Sequence, residues 1–429
     1  MKQWLAGLMA LVAAGCASAT GAAGSRDMSL DALARDYVRL TLEIDAHESG
    51  YVDAYFGPQE WREAARKNPR ERPALKAEAD RIIAGLGSYA AGAGEQGQRA
   101  KVLQANVRSA RFRLDMIDGV RVKFADEAEK LFALRPELKP LSAYDGAFAR
   151  IEALVPGEGE LHERVEAFRS RYSIPDGRVQ AVMDAAIAEC RRRTAAHIDL
   201  PSDETFSMEL VKDKPWGAYN YYLGRHQSLI QINTDLPVSI GSALVLACHE
   251  GYPGHHVQGI YNEANYRERG WAEYSVAPLY VPAAPLNEGG ADFGVELAFP
   301  GDERLKFEMD VLYPLAGLDP ATAPAFAELR EATQELDGAL LKVSQMQLDG
   351  EVSREEAITL AQKYRMASRD VAEQALEFDR AYRSYVINYS VGEDLVRRYV
   401  ERHGVDTAAR WAAYEHILAT PTLPADLAR

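Results

Sequence analysis

The sequence contains few cysteines, no low-complexity tract and no excess of positive charge. Three of the 429 residues are cysteine, which excludes a fold held together by several disulfides. The formal net charge of -15 argues against nucleic acid as a partner, because phosphate binding needs a basic surface. With 47% hydrophobic and 26% charged residues, the chain has the composition of a globular protein large enough to bury an extensive core.

An apolar run near the N-terminus, residues 5–14, is too short to span a bilayer as a stable helix. Lys2 precedes it, and it ends at Cys16 in the sequence VAAGC. This segment resembles the signal peptide and lipobox of bacterial lipoproteins, which implies cleavage before Cys16 and a lipid on that cysteine. We therefore predict a signal peptide at 1–15, a lipidated tether at 16–28 and a membrane anchor in the cell envelope. By the same resemblance, Ala17 favours the outer membrane, facing the periplasm; a plain secretory signal is the alternative.

The two other cysteines, Cys190 and Cys248, could form one disulfide in an oxidising compartment. Nothing in the sequence favours that bond. Cys248 follows an apolar run, where buried packing is the commoner role of a cysteine, so we predict packing there.

Hydrophobic residues at helical spacing predict a mainly α fold, a large helical bundle that forms a deep cleft. We predict an N-terminal helical region at 29–200 and a catalytic region at 201–429, packed together as one unit. Alternating residues at 206–211 and 227–233 predict strands of a small antiparallel sheet. The aromatic stretch 216–222 between them either fills core or lines a pocket.

Three of the nine histidines lie within eight residues, at His249, His255 and His256, and Glu250 stands beside the first. Such a cluster predicts a metal site. In the zinc motif HExxH, two histidines four apart share one face of a helix. Here the spacing is six or seven, which an ideal helix cannot accommodate. Pro253 and the glycines around it permit a detour, and if two residues loop out, His255 becomes the second ligand, with His256 as the runner-up.

A third ligand must come from elsewhere in the chain, and Glu288 is the best candidate. Glu288 and Asp292 are four residues apart, so on a helix they share a face. Asp292 could then orient a metal-bound histidine, and Glu296 could support the same site.

These residues predict one Zn²⁺ per chain, bound by His249, His255 and Glu288, with a fourth position open for water. Glu250 would take the proton from that water and pass it to a leaving amine. The alternative is that these groups only hydrogen-bond to one another or hold a structural metal.

The motif from His249 to Gln258 resembles the HE-x-YPGHH-x-Q signature of the domain-of-unknown-function 885 family of bacterial proteins. A second block, residues 288–293, resembles that family's EGWA block, although Gly290 stands where the family has tryptophan. A third resemblance covers 350–357 and 389–398. The family resembles zinc peptidases such as carboxypeptidase Taq, thimet oligopeptidase and angiotensin-converting enzyme, which implies a helical, zincin-like fold that cuts short peptides.

By analogy with those enzymes, a tyrosine should stabilise the oxyanion and an arginine should hold a substrate carboxylate. The candidates are Tyr389 and Arg397, with Tyr219 and His226 as weaker candidates for substrate contact. The sequence thus predicts a lipid-anchored zinc metallopeptidase whose partner is a short peptide. A zinc amidohydrolase acting on another amide, or a non-catalytic lipoprotein that binds metal or peptide, are the alternatives.

Overall fold

The structure is a computed structural model that describes residues 28–214, 217–235 and 237–428. The predicted signal peptide, Cys16 and almost all of the tether lie outside the described residues, as does Trp216. The fold is mainly α, as predicted. Helices α1–α8 are Leu30–His47, Gln59–Lys67, Arg72–Ala90, Gly94–Ile117, Phe124–Phe132, Asp145–Leu154, Leu161–Ser170 and Val179–Ala195. Helices α9–α20 are Ile240–Leu246, His255–Arg267, Ala284–Ala298, Glu303–Phe307, Tyr313–Ala316, Ala323–Gln334, Asp337–Leu348, Arg354–Arg365, Arg369–Tyr382, Ser390–His403, Thr407–Ala419 and Pro424–Leu427.

The N-terminal helices pack as their hydrophobic spacing predicts. Ser29 caps α1 by accepting a hydrogen bond from the backbone of Ala32, and the apolar face of α1 is buried against α3 and α4. Leu33, Ile82 and Leu103 belong to this shared core. The core also takes in residues 272–284 and Tyr385, so the N-terminal helices pack directly against elements from the second half of the chain.

One N-terminal strand, β1 (Val52–Tyr55), was not predicted from the sequence. It pairs antiparallel with β5 (Val276–Pro278), which lies shortly before α11. A four-residue strand carries too short an alternation to be recognised between two helices. This small antiparallel sheet brings the N-terminal region beside the elements that carry the candidate site.

The second sheet has three strands, β2 (Thr205–Val211), β3 (Ala218–Gly224) and β4 (Gln227–Asn233). The predicted strands at 206–211 and 227–233 are confirmed as β2 and β4. β4 is central, parallel to β2 and antiparallel to β3, so this sheet is mixed. Residues 218–222 of the aromatic stretch belong to β3, which is an edge strand that packs against α10.

The helices of the C-terminal part are interrupted at two places. α14 and α15 are separate helices, and α17 ends at Tyr382 and continues as a 3-10 segment, Arg383–Asn388. Helices α11 and α18 cross very closely at Gly289 and Gly392. A Cβ atom on Gly289 would lie only 2.1 Å from the backbone of Gly392, so a larger residue would force the two helices apart. The glycines therefore set the distance between α11 and α18.

Cys190 and Cys248 are joined by a disulfide, which the sequence left open. Cys248 is also fully buried in the core, as predicted. The bond ties α8 to the segment that follows α9, across the boundary predicted at residue 200. Sequence separation says nothing about whether two cysteines meet in space, which is why the bond could not be predicted. Among the described helices, none is both long and apolar enough to cross a membrane.

Candidate metal centre

The segment that carries the histidines leaves helical geometry twice. The apolar helix α9 continues into a π-helical turn, Ala247–Gly251, in which the amide of Tyr252 donates to the carbonyl of Ala247. The chain then breaks at residues 252–254, and α10 begins at His255. The predicted detour is therefore a π turn followed by a new helix rather than a two-residue loop within one helix.

Gly254 makes this path possible. A Cβ atom at this position would lie 1.9 Å from the carbonyl oxygen of His249, so any larger residue would force the two segments apart. Its amide donates to the carbonyl of Cys248 at 3.0 Å, which closes the break onto the π turn. This close contact holds His249 and His255 on adjoining segments.

The side chains of His249, His255 and Glu288 converge, and their ligand atoms all lie within 4.8 Å of one another. The Nε2 atoms of the two histidines lie 3.5 and 3.6 Å from Oε2 of Glu288. Two ligands of a tetrahedral zinc, each about 2.0–2.1 Å from the metal, lie about 3.3 Å apart. The spacing and the donor types therefore fit a zinc ion bound by these three residues.

Each ligand is oriented through its other polar atom. Nδ1 of His249 lies 2.8 Å from Oδ1 of Asp292, and Nδ1 of His255 lies 3.2 Å from Oε1 of Gln258. The hydroxyl of Tyr385 donates to Oε1 of Glu288 at 2.8 Å. Nε2 of each histidine and Oε2 of Glu288 therefore face the centre of the cluster. Metal sites commonly have this arrangement, in which the second polar atom of each ligand is held by a hydrogen bond.

The electrostatics of the cluster favour positive charge at its centre. Burial alone would lower the pKa of His249, but Asp292 and Glu288 outweigh it and hold this pKa well above its usual range. Burial would raise the pKa of Glu288, yet the two histidines hold it well below its ordinary value. The same negative charges would attract a metal cation to the centre of the cluster.

His256 lies outside this cluster, although it is the next residue after His255. Its ring is fully buried, with Nδ1 2.8 Å from the hydroxyl of Ser228 and Nε2 3.1 Å from Oε2 of Glu204. Both of its nitrogens are therefore occupied on the side of the three-stranded sheet, and it is His255 that the structure brings together with His249.

Glu250 lies beside the three ligands without being part of the convergent set. It is 7% exposed, and its backbone carbonyl accepts a hydrogen bond from the side chain of Asn220 on β3. Its charge contributes to the raised pKa of His249 and of His255.

Tyr389 also lies at the cluster. Burial and then the negative charges of Glu288, Asp292 and Glu250 raise its pKa well above the ordinary value. Within the described part of the chain, its hydroxyl makes no hydrogen bond. Tyr385, one turn earlier and within ring contact of Tyr389, was missed from the sequence, where two tyrosines four residues apart were the available signal.

Four other predicted residues, Arg397, Glu296, His226 and Tyr219, contact residues other than the three ligands. Arg397 forms ion pairs with Glu296 and Glu393, and Glu296 also contacts Arg410. His226 lies in the β3–β4 turn and contacts Asp203 at 3.0 Å. Tyr219 reaches Asp53 of β1.

Tyr414 covers Gly290 at the start of α11. A Cβ atom on Gly290 would lie 3.6 Å from the ring of Tyr414, whose hydroxyl donates to the carbonyls of Gly290 and Pro253. Tyr414 thus joins the start of α11 to the break before α10.

Comparison with known proteins supports the fold. No protein-family profile matches this sequence, and no curated protein matches it. A solved structure from Colwellia psychrerythraea, provisionally described as a lipoprotein, aligns with a TM-score of 0.53 at 16% sequence identity. The alignment covers 82% of this chain and 65% of that one, so this chain spans less than two thirds of its length. The structure called BsuCP aligns over 91% of this chain and 88% of its own at 11% identity, but its TM-score of 0.40 supports no argument.

Proposed function

We propose that this protein is a zinc-dependent hydrolase that cleaves short peptides. The observation that carries the proposal is the convergence of His249, His255 and Glu288, each oriented by a further polar contact, beside a carboxylate that is not itself a ligand. A binding site for metal alone would need the three ligands, but it would not need Glu250.

Zinc held by these three residues supplies a Lewis acid that polarises an amide carbonyl and acidifies water. Glu250 acts as the general base: it accepts a proton from the attacking water and then donates it to the leaving amine. Its low exposure favours this role, because a carboxylate shielded from solvent keeps its proton within the site. Asp292 acts by fixing the ring of His249 rather than by contacting the substrate.

Tyr389 donates a hydrogen bond to the oxygen that becomes negative in the transition state. Its raised pKa keeps the hydroxyl protonated, and that hydroxyl has no acceptor among the described residues. The hydroxyl of Tyr385 is engaged by Glu288, so Tyr385 acts through the ligand. Donors held ready where charge develops are a large part of the rate that such sites provide.

The edge strand β3 offers a place for an extended peptide. β3 lies against Glu250 through Asn220, and its outer edge is not paired with another described strand. A peptide adding to that edge would be held by backbone hydrogen bonds, which bind many sequences with similar strength.

For the location, we propose the cell envelope, with a lipid on Cys16 as anchor and the site in the periplasm. The lipobox-like sequence supports this location, as does the description of the structurally similar Colwellia protein. A disulfide between Cys190 and Cys248 agrees with an oxidising compartment.

The first test is the Glu250→Gln variant. We expect it to keep about one zinc per chain, because Glu250 is not a ligand, and to lose at least about 1,000-fold in kcat on a mixture of short peptides. Metal analysis together with a peptide digest read by mass spectrometry measures both. The His249→Ala variant, which should lose zinc and activity together, is the control.

Hydrolysis by Glu250→Gln at the wild-type rate would overturn the general-base role. Bound zinc without cleavage of any peptide by the wild-type protein would favour the other functions: hydrolysis of a non-peptide amide, or binding without catalysis. Because β3 and the aromatic residues on it suit an extended chain, peptides remain the proposed substrate.

A further inference from the structure

We propose that Asp53 binds the free amino group of the substrate, so that this site acts on the amino-terminal end of short peptides. The inference rests on the proposed hydrolase function and names its substrate class. Asp53 belongs to β1, the strand that the sequence did not predict, and it has no role in the mechanism described above.

Two hydrogen bonds connect β3 with Asp53 and with the segment that carries Glu250. The hydroxyl of Tyr219 on β3 donates to Oδ1 of Asp53, and the next residue, Asn220, donates to the backbone carbonyl of Glu250. Phe56, the residue after β1, packs against Tyr222 of β3. Neighbouring residues of β3 therefore contact Asp53 and the backbone of Glu250.

The carboxylate of Asp53 is open to solvent and yet surrounded by protein, as on the wall of a concavity. Burial by the surrounding atoms, rather than any hydrogen bond, raises its pKa to about 6, with smaller effects from His255, Glu288 and Glu250. Asp53 thus interacts with the charges of His255, Glu288 and Glu250, and it also acts on Tyr385, whose hydroxyl donates to Glu288.

No lysine or arginine forms an ion pair with Asp53, within the ranges the structure describes. The same holds for Glu288 and Asp292, whose ion pairs among the described residues are with His249 and His255. Several carboxylates close together repel one another when no lysine or arginine pairs with them, and a substrate ammonium group would supply the missing positive charge.

The absence of cations from this group also decides which end of a peptide it favours. Recognition of a C-terminal carboxylate needs an arginine or lysine. Arg397, the residue predicted for that task, is held by Glu296 and Glu393 and stacks over Phe293. An amino terminus suits the acidic surroundings, whereas a carboxylate would be repelled by them.

The test measures binding separately from hydrolysis. In the zinc-loaded Glu250→Gln protein, titration calorimetry compares tetra-alanine with its N-acetylated and its C-amidated forms. We expect N-acetylation to weaken binding by about tenfold or more, because it removes a charge-assisted hydrogen bond, and C-amidation to change it by less than about threefold.

Adding Asp53→Asn should abolish the preference for the free amine while leaving the zinc content unchanged, which checks that the site is intact. Asp310→Asn is the matched control: Asp310 pairs with Lys306 on the surface, and its loss should leave the preference unaltered. A preference that persists in Asp53→Asn would overturn the inference, as would equal binding of free and acetylated peptides.

Hydrolysis by the protein with Glu250 intact separates the two proposals. Cleavage of peptides without any preference for a free amino end would refute the role of Asp53 and leave the hydrolase function standing. A preference in binding without cleavage of any peptide would refute the hydrolase function and leave Asp53 as an amine-binding residue.

Discussion

Two neighbouring clusters in this protein contain histidine and glutamate, but they differ in how many of their polar atoms are hydrogen-bonded. The open cluster consists of His249, His255, Glu288 and Asp292; the closed cluster consists of His256, Glu204, Ser228, Tyr252 and Arg191. In the open cluster, Nε2 of each histidine faces Glu288 at 3.5 or 3.6 Å, longer than a hydrogen bond. In the closed cluster, the carboxylate accepts from Tyr252 and Arg191 at 2.6 Å each.

The difference teaches that the capacity to bind a metal depends on which atoms are still available. His256 and Glu204 are less exposed than any ligand of the open cluster, but all their polar atoms are already paired. A metal there would have to replace existing hydrogen bonds in a buried network. At the open cluster, only Nδ1 of each histidine is committed, so the Nε2 atoms can bind an ion at no such cost.

The largest expected effect distinguishes two adjacent histidines. His255→Ala should reduce zinc from about one per chain to almost none, because it removes a ligand. His256→Ala should keep the zinc but lower the free energy of unfolding by about 2–4 kcal/mol, because it leaves buried partners unpaired and opens a cavity. Metal analysis and urea denaturation measure the two effects.

The comparison between the clusters would fail if His256→Ala lost zinc while remaining folded. It would fail equally if His255→Ala kept a full equivalent of zinc. Either result would mean that the ligand is the other histidine and that the break before α10 lies elsewhere.

The next largest effect is the loss of stability that the closed cluster should cause at low pH. Burial alone would raise the pKa of Glu204, but hydrogen bonds from His256, Tyr252 and Arg191 lower it to about 2. A lowered pKa contributes stability above the unfolded value of about 4.5, and this contribution, about 3 kcal/mol, is lost as the pH falls towards 2.

Glu204→Gln should therefore be less stable than the wild-type protein by about 2–3 kcal/mol at pH 7, and the difference should shrink below pH 4. Urea denaturation at pH 7, 5 and 3 measures it. Zinc binding at pH 7 should be unchanged, since Glu204 does not touch the open cluster. A difference between the two proteins that is independent of pH would contradict the assigned role of the charge.

The sequence was sufficient to predict most helices and the side chains that converge at the candidate site. The candidate ligands, the i, i+4 relation of Glu288 and Asp292, and the need for a detour at Pro253 follow from local rules, and the structure places these residues accordingly. The π turn could not be foreseen, because its extra residue is set by the contact of Gly254 with His249 rather than by any pattern.

Features that depend on distant parts of the chain were the ones missed. Asp53 and Tyr385 reach the site only because β1 pairs with β5 and because the 3-10 segment after α17 packs beside α11. The Cys190–Cys248 bond likewise depends on α8 lying against the segment after α9. Hydrophobic periodicity states which face of an element is buried but not which element covers it.

The smallest effects compare the two residues that orient the histidines. Asp292→Asn should weaken zinc binding by about 10- to 100-fold, because a neutral amide at 2.8 Å cannot stabilise the ring of His249 as the carboxylate does. Gln258→Ala should weaken it by only about threefold, since Gln258 is a neutral acceptor 3.2 Å from His255 and water can replace it. Competition with a chromophoric chelator measures both affinities.

Glu296→Gln is the control. Glu296 lies one turn beyond Asp292 on α11 but pairs with Arg397 and Arg410, so its substitution should not change the zinc affinity. If Glu296→Gln weakened zinc binding as much as Asp292→Asn, the general negative charge of α11 rather than the contact with His249 would account for the effect.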